Sequence, residues 1–202
     1  MKSRHYLLLA SLIFSMSGHA ADKKKVYSKR SPIKAPTASC EKSYKKAKDS
    51  PSTGDVIIAV ENCEKATEGL CSAMVMRDSD GASTGDGRYI GALCELTAAY
   101  GGNKAVNKFV PSPACQSAYG KAKDSPSTGD VYEAAKICKD EQDKACQKMV
   151  EQSSDGPTTG DGRYIGASCA LIAAHGAFVE VQMMGKSGSS GEKTGKSSGA
   201  TR

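Results

Sequence analysis

The chain has no tryptophan and only three phenylalanines in 202 residues. Helices cut from it carry few large apolar side chains, so burial alone is a weak source of stability and covalent staples are expected. Histidine is nearly missing: His5 and His19 lie in an N-terminal leader-like segment, leaving His175. A duplicated histidine site is thereby excluded, and a histidine-based triad has one candidate, whose plainer reading is a residue at a helix end. The apolar run from Tyr6 to Met16 is too short to span a bilayer. Basic residues interleaved with aromatics on a folded face, the mark of a nucleic-acid surface, are also missing.

What the chain does have is eight cysteines at a fixed spacing. Cys40 to Cys63, Cys71 to Cys94, Cys115 to Cys138 and Cys146 to Cys169 enclose stretches of identical length. Each unit carries a turn at the same place: Ser52 to Asp55, Ser83 to Asp86, Ser127 to Asp130 and Thr158 to Asp161. The step from Cys40 to Cys71 equals the step from Cys115 to Cys146, and the whole pair of units recurs without a gap. Such a period marks stacked helical hairpins. Val56, Ala59, Val60 and Cys63 share a helical face, as do Val131, Ala134, Ala135 and Cys138. The spacing predicts an all-α, α-solenoid-like chain of four antiparallel hairpins in two double units.

Ser52, Ser83, Ser127 and Thr158 each stand three residues before an Asp. This predicts hydroxyl N-caps with a carboxylate in the first turn. Ser52 sits almost midway between Cys40 and Cys63, and the other three hydroxyls hold the same place in their units. Equal arms bring the flanking cysteines together, which predicts Cys40–Cys63, Cys71–Cys94, Cys115–Cys138 and Cys146–Cys169. The rival pairing joins neighbouring units through Cys63–Cys71 and Cys138–Cys146. Eight cysteines allow 105 pairings, so geometry has to choose.

In chain order, 1–20 reads as a secretory signal, with Lys2 and Arg4, an apolar run and Gly18-His19-Ala20. Residues 21–39 form a basic arm, 40–102 the first double hairpin and 103–114 a linker or a short extra helix around Lys104 to Val110. The second double hairpin covers 115–184, with Gly176 to Met184 as a cap over the last hairpin, and 185–202 is a Gly/Ser/Lys tail. The formal charge of +6 is misleading as a whole, because residues 40–182 carry 16 basic and 20 acidic side chains. The basic ends suit weak contact with anionic surfaces. Signal and cysteines together point to a periplasmic or secreted protein.

Asp55 to Ala59, followed after five residues by Lys65-Ala66-Thr67-Glu68-Gly69, resembles the second helix of the Sel-like, tetratricopeptide-related repeats. Their disulfide-stapled forms are the secreted cysteine-rich repeat proteins. Unit three keeps Asp130 and Ala134, units two and four have Ile90 and Ile165 where the alanine stands, and the first-helix Gly/Tyr signature is absent. The resemblance covers the hairpins only. It implies an α-solenoid that binds other proteins.

The functional candidates follow from the turns. Residues 46–56 are identical to 121–131 at all 11 positions, while 57–73 match 132–148 at only three. The cause is either turn geometry or a recognition surface built from four adjacent loops. Arg88, Tyr89, Arg163 and Tyr164 are the best binding candidates, being residue types favoured at interface hot spots. Alternatively, each Tyr packs on a neighbouring hairpin and each Arg pairs with Asp80 or Asp155. Asp78, Asp80, Thr84 and Asp86 suggest a calcium loop, but the bidentate Glu of an EF-hand is missing. Ser43 to Lys46 fits S-x-x-K and Lys193-Thr194-Gly195 fits K-T-G, the basis of an alternative reading as a cell-wall or β-lactam hydrolase. The leading expectation is a non-catalytic protein-binding scaffold, with protein partners in the envelope or outside the cell, no specific nucleic acid, no cofactor and no metal; the other alternative is an extracellular calcium- or ligand-binding module.

Overall fold

A computed structural model describes residues 37–187. The signal, most of the basic arm, and the tail beyond Ser187 with its K-T-G lie outside the described residues. Six helices form: α1 Thr37–Lys48, α2 Thr53–Asp78, α3 Gly85–Val106, α4 Pro113–Ala122, α5 Thr128–Ser153 and α6 Gly160–Ser187. The described part is all-helical. Thr37 to Ser39, expected in the arm, open α1, and Gly185 to Ser187, expected in the tail, close α6.

All four expected disulfides form, with Cα–Cα distances of 4.4, 5.6, 4.5 and 5.6 Å in chain order. The hairpins, however, are not separate pieces. The second helix of unit one and the first helix of unit two are a single helix, α2, and α5 joins units three and four likewise. Nothing between Cys63 and Cys71 breaks a helix except Gly69, which costs only about 1 kcal/mol in a helix interior. Each half is therefore a short helix followed by two long ones. Both bridges of a half staple its central helix, at 26 residues about 39 Å long.

The expected linker is a correction. α3 runs through Gly101 and Gly102 to Val106, and the connection is only 107–112. The Gly-Gly pair looks like a helix breaker but serves a close approach. A Cβ built on Gly101 would stand 2.6 Å from the Gly176 carbonyl oxygen, and one on Gly176 would stand 2.7 Å from that of Gly101. These glycines are equivalent positions of the two halves. α3 and α6 thus cross antiparallel at a pseudo-twofold axis, with Thr97 near Met184 and Gly102 near Ala173. Buried Asn103 fixes the following turn: its Nδ2 donates to the Cys138 carbonyl at 3.2 Å and its Oδ1 accepts from Ser112 N at 2.8 Å.

The packing order is not the chain order. Ala92, Leu96 and Ala99 of α3 share a core with Cys115, Val131, Ala135 and Cys138 of α4 and α5. Leu171, Ala174 and Phe178 of α6 share cores with Cys40, Ala47, Val56 and Cys63 of α1 and α2. Each half lays its third helix on the other half's first hairpin. The segment expected to cap the last hairpin is continuous with α6, and fully buried Phe178 covers the first disulfide instead. α6 is long and apolar enough to cross a membrane by length and composition. In this fold that apolarity serves contacts with α2, α3 and α5 on several of its sides.

Candidate functional site

The four turns carry nearly the same residues but are capped in two ways. In the odd turns, Ser52 and Ser127 accept from the amides of Asp55 and Asp130, as expected. In the even turns the cap moves one residue on. Thr84 accepts from Gly87 N at 3.0 Å, and Thr159 accepts from Gly162 N at 3.2 Å. Ser83 and Thr158 are therefore not the caps. The reason lies just upstream. Gly81 and Gly156 take φ of 138° and 135° and fold the chain back over the first helical turn. Their carbonyls accept the Thr84 and Thr159 hydroxyls at 2.6 Å. They also fill the space a Cβ at Gly87 or Gly162 would need.

In the odd turns Asp55 and Asp130 also accept from Ser50 and Ser125, at 2.9 and 2.8 Å. Lys46, then Ser50, holds the Asp55 carboxyl below the ordinary carboxylate value. Thr159 does the same to Asp161 at the fourth turn.

The tyrosine candidates join the halves. Tyr89 Oη donates to the Ser125 carbonyl at 2.6 Å, and Tyr164 Oη donates to the Ser50 carbonyl at 2.8 Å. Each even-turn tyrosine locks onto the odd turn of the opposite half. The identity of 46–56 with 121–131 thereby gains a physical reason, since both loops seat the same tyrosine. The neighbour is the other half's hairpin, not the next one in the chain.

Arg88 and Arg163 are exposed. Among the described residues neither guanidinium is in an ion pair or side-chain hydrogen bond, so the expected pairing with Asp80 or Asp155 does not form. Arg88 lies between three and four helical turns from Gly101, and Arg163 the same distance from Gly176. The two arginines therefore stand at opposite ends, about 40 Å apart. A single surface of four adjacent loops is thus overturned. The second and third turns meet at one end, and the fourth and first at the other.

The remaining candidates are engaged elsewhere. Ser43 Oγ donates to the carbonyls of Ser39 and Cys40, at 2.8 and 3.1 Å, while Lys46 pairs with Asp55 at 2.9 Å. Both Asp78 oxygens accept from Arg77 at 2.7 Å, and the Thr84 hydroxyl is an N-cap. Among the described residues no group of three or more His, Cys, Asp or Glu is placed to hold a metal ion. His175 is not at a helix end but in the middle of α6, stacked on Tyr44 with ring centroids 3.7 Å apart. Tyr44 and Tyr119, like Tyr100 and His175, occupy matching positions of the two halves, a signal of this region that the sequence carries.

The chain matches no protein-family model, no curated protein and no solved structure. The Sel-like resemblance rests on its own residues.

Proposed function

We propose that the chain is an exported, non-catalytic scaffold that binds protein partners through its inter-helix turns. The supporting observation is the pair of exposed arginines, Arg88 and Arg163, each beside a tyrosine fixed by a cross-half hydrogen bond. A rigid aromatic next to an uncommitted guanidinium is the composition of an interface anchor. Placing one at each end makes the scaffold bivalent. In this reading the Sel-like hairpins form a closed relative of a solenoid, with clamped arms that present turns at two ends. Four disulfides suit an oxidising compartment, so the partner is sought in the envelope or outside the cell.

The test is capture from the native envelope by disulfide-intact protein, followed by affinity measurement with the captured partner. Arg88→Glu and Arg163→Glu singly should lose avidity, and the double variant should lose binding, with thermal unfolding unchanged. Equal binding by the double variant would refute the proposal.

A further inference from the structure

Duplication gives this molecule an internal control, because each position of the first half has a match in the second: Cys40 with Cys115, Gly101 with Gly176. Tyr100 of α3 stacks on Tyr119 of α4 with ring centroids 4.1 Å apart. The matching stack in the other half is His175 on Tyr44, at 3.7 Å and nearly parallel. A cleft lies beside each stack. The one beside Tyr119 is the larger, about 430 Å³, and in it the Thr97 hydroxyl donates to the Leu93 carbonyl at 2.8 Å and touches Met184 sulfur at 3.4 Å. In the cleft beside Tyr44 the matching positions are Ile172 and Phe109. It encloses about 330 Å³ and is lined by Gly101 and Gly176, by the stacked Tyr44 and His175, and by the Lys104–Glu180 pair at 3.4 Å.

Phe109 is the anomaly. Its backbone sits at φ 72°, held by its amide N–H donating to the Lys104 carbonyl at 2.7 Å. The residue is 79% exposed. A bulky L residue in the left-handed region costs free energy, and an aromatic ring left in water returns none of it. Val110 (66%) and Met183 (48%) extend the same exposed apolar surface. His175 Nε2 adds a second oddity: it is buried without a hydrogen-bond partner, 3.6 Å from Glu41 Oε1. Strain and an exposed aromatic coincide at one cleft and are missing from its counterpart.

We propose that the Tyr44–Phe109–His175 cleft binds a small planar aromatic molecule, which enters between the Tyr44–His175 wall and the Phe109 ring. The volume is at the small end for ligand cavities and suits about two fused rings. Flat aromatic walls select a flat guest through offset or edge-to-face packing. The Lys104–Glu180 pair gives a polar substituent both a donor and an acceptor at one edge. This site is independent of the arginine turns.

The experiment titrates indole into ¹⁵N-labelled, disulfide-intact protein, followed by amide shifts. A guest of this size should saturate with Kd near about 1 mM, moving Ala105, Phe109, Ile172 and His175 but not the residues around Tyr119. Phe109→Gly removes the ring and suits the positive φ. It should weaken binding by about tenfold or more and raise Tm by about 3 °C. Ile58→Ala, an exposed apolar control elsewhere, should bind like wild type. Shifts that do not saturate, equal shifts beside Tyr119, unchanged affinity in Phe109→Gly, or a lowered Tm for that variant would each overturn the proposal.

Discussion

Glycine to alanine should have opposite signs at two helical positions of this chain. Gly120 is an exposed residue of α4, and a Cβ there would meet nothing within 4 Å. Alanine should then stabilise by about 0.5–1 kcal/mol through helix propensity and reduced freedom of the unfolded chain. Gly101 gains the same propensity term. Its new Cβ, however, would lie 2.6 Å from both the Gly176 carbonyl oxygen and Glu180 Cβ. Backbone cannot swing aside as a side-chain tip can, so α3 and α6 must separate locally. Overpacking of this kind costs about 1–3 kcal/mol, leaving Gly101→Ala less stable by up to about 2.5 kcal/mol once the propensity gain of about 0.5–1 kcal/mol is subtracted. Gly176→Ala meets Ala105 Cβ and the Gly101 carbonyl, so it should behave alike. The double variant should cost less than the sum, because the helices need separating only once. Urea denaturation of disulfide-intact protein measures all four. If Gly101→Ala stabilised as Gly120→Ala does, the close crossing on the pseudo-twofold axis would be refuted.

Tyr89→Phe and Tyr164→Phe should each cost about 1 kcal/mol, and the costs should add, since the two hydrogen bonds sit at opposite ends; denaturation midpoints check this. The capping shift predicts a reversal: Thr84→Ala should cost about 1 kcal/mol and Ser83→Ala little, whereas Ser52→Ala should cost about as much as Thr84→Ala and Thr53→Ala little, read by the same assay. Asp55 contributes stability while ionised, because Lys46 and Ser50 hold its carboxyl below its ordinary 3.8. That contribution is complete above the unfolded-state value and fades as pH falls through the lower folded value. Asp55→Asn should therefore differ from wild type in Tm at about pH 6 and converge with it toward about pH 2.

The sequence made the local structure legible and left the long-range packing hidden. The disulfide pairing could be read because each bridge joins the ends of two equal arms about a turn, and a sequence separation of 23 suffices to define that geometry. The order in which helices pack could not be read. Alanine and cysteine dominate the buried faces, and small side chains carry little information about which neighbour they meet. Gly101 and Gly102 show the difficulty: a breaker and a close crossing look identical until the partner backbone is placed. Equivalent turns were equally deceptive, since one hydroxyl shift in the cap depends on Gly81 and Gly156 taking a backbone angle that no periodicity reveals. Tyr89 and Tyr164 do have partners, but the surface their hydroxyls touch belongs to the same chain.

The exchanged arrangement of the halves is tested most directly by zero-length carbodiimide cross-linking of the monomer, with peptide mapping. Glu95 and Lys139 lie 2.6 Å apart between α3 and α5, and Lys104 and Glu180 lie 3.4 Å apart between α3 and α6. Amide-linked peptides joining Glu95 to Lys139 and Lys104 to Glu180 are the predicted result. Recovery of only local links, such as Lys136 to Asp140, would show that each half folds on itself and would contradict the account.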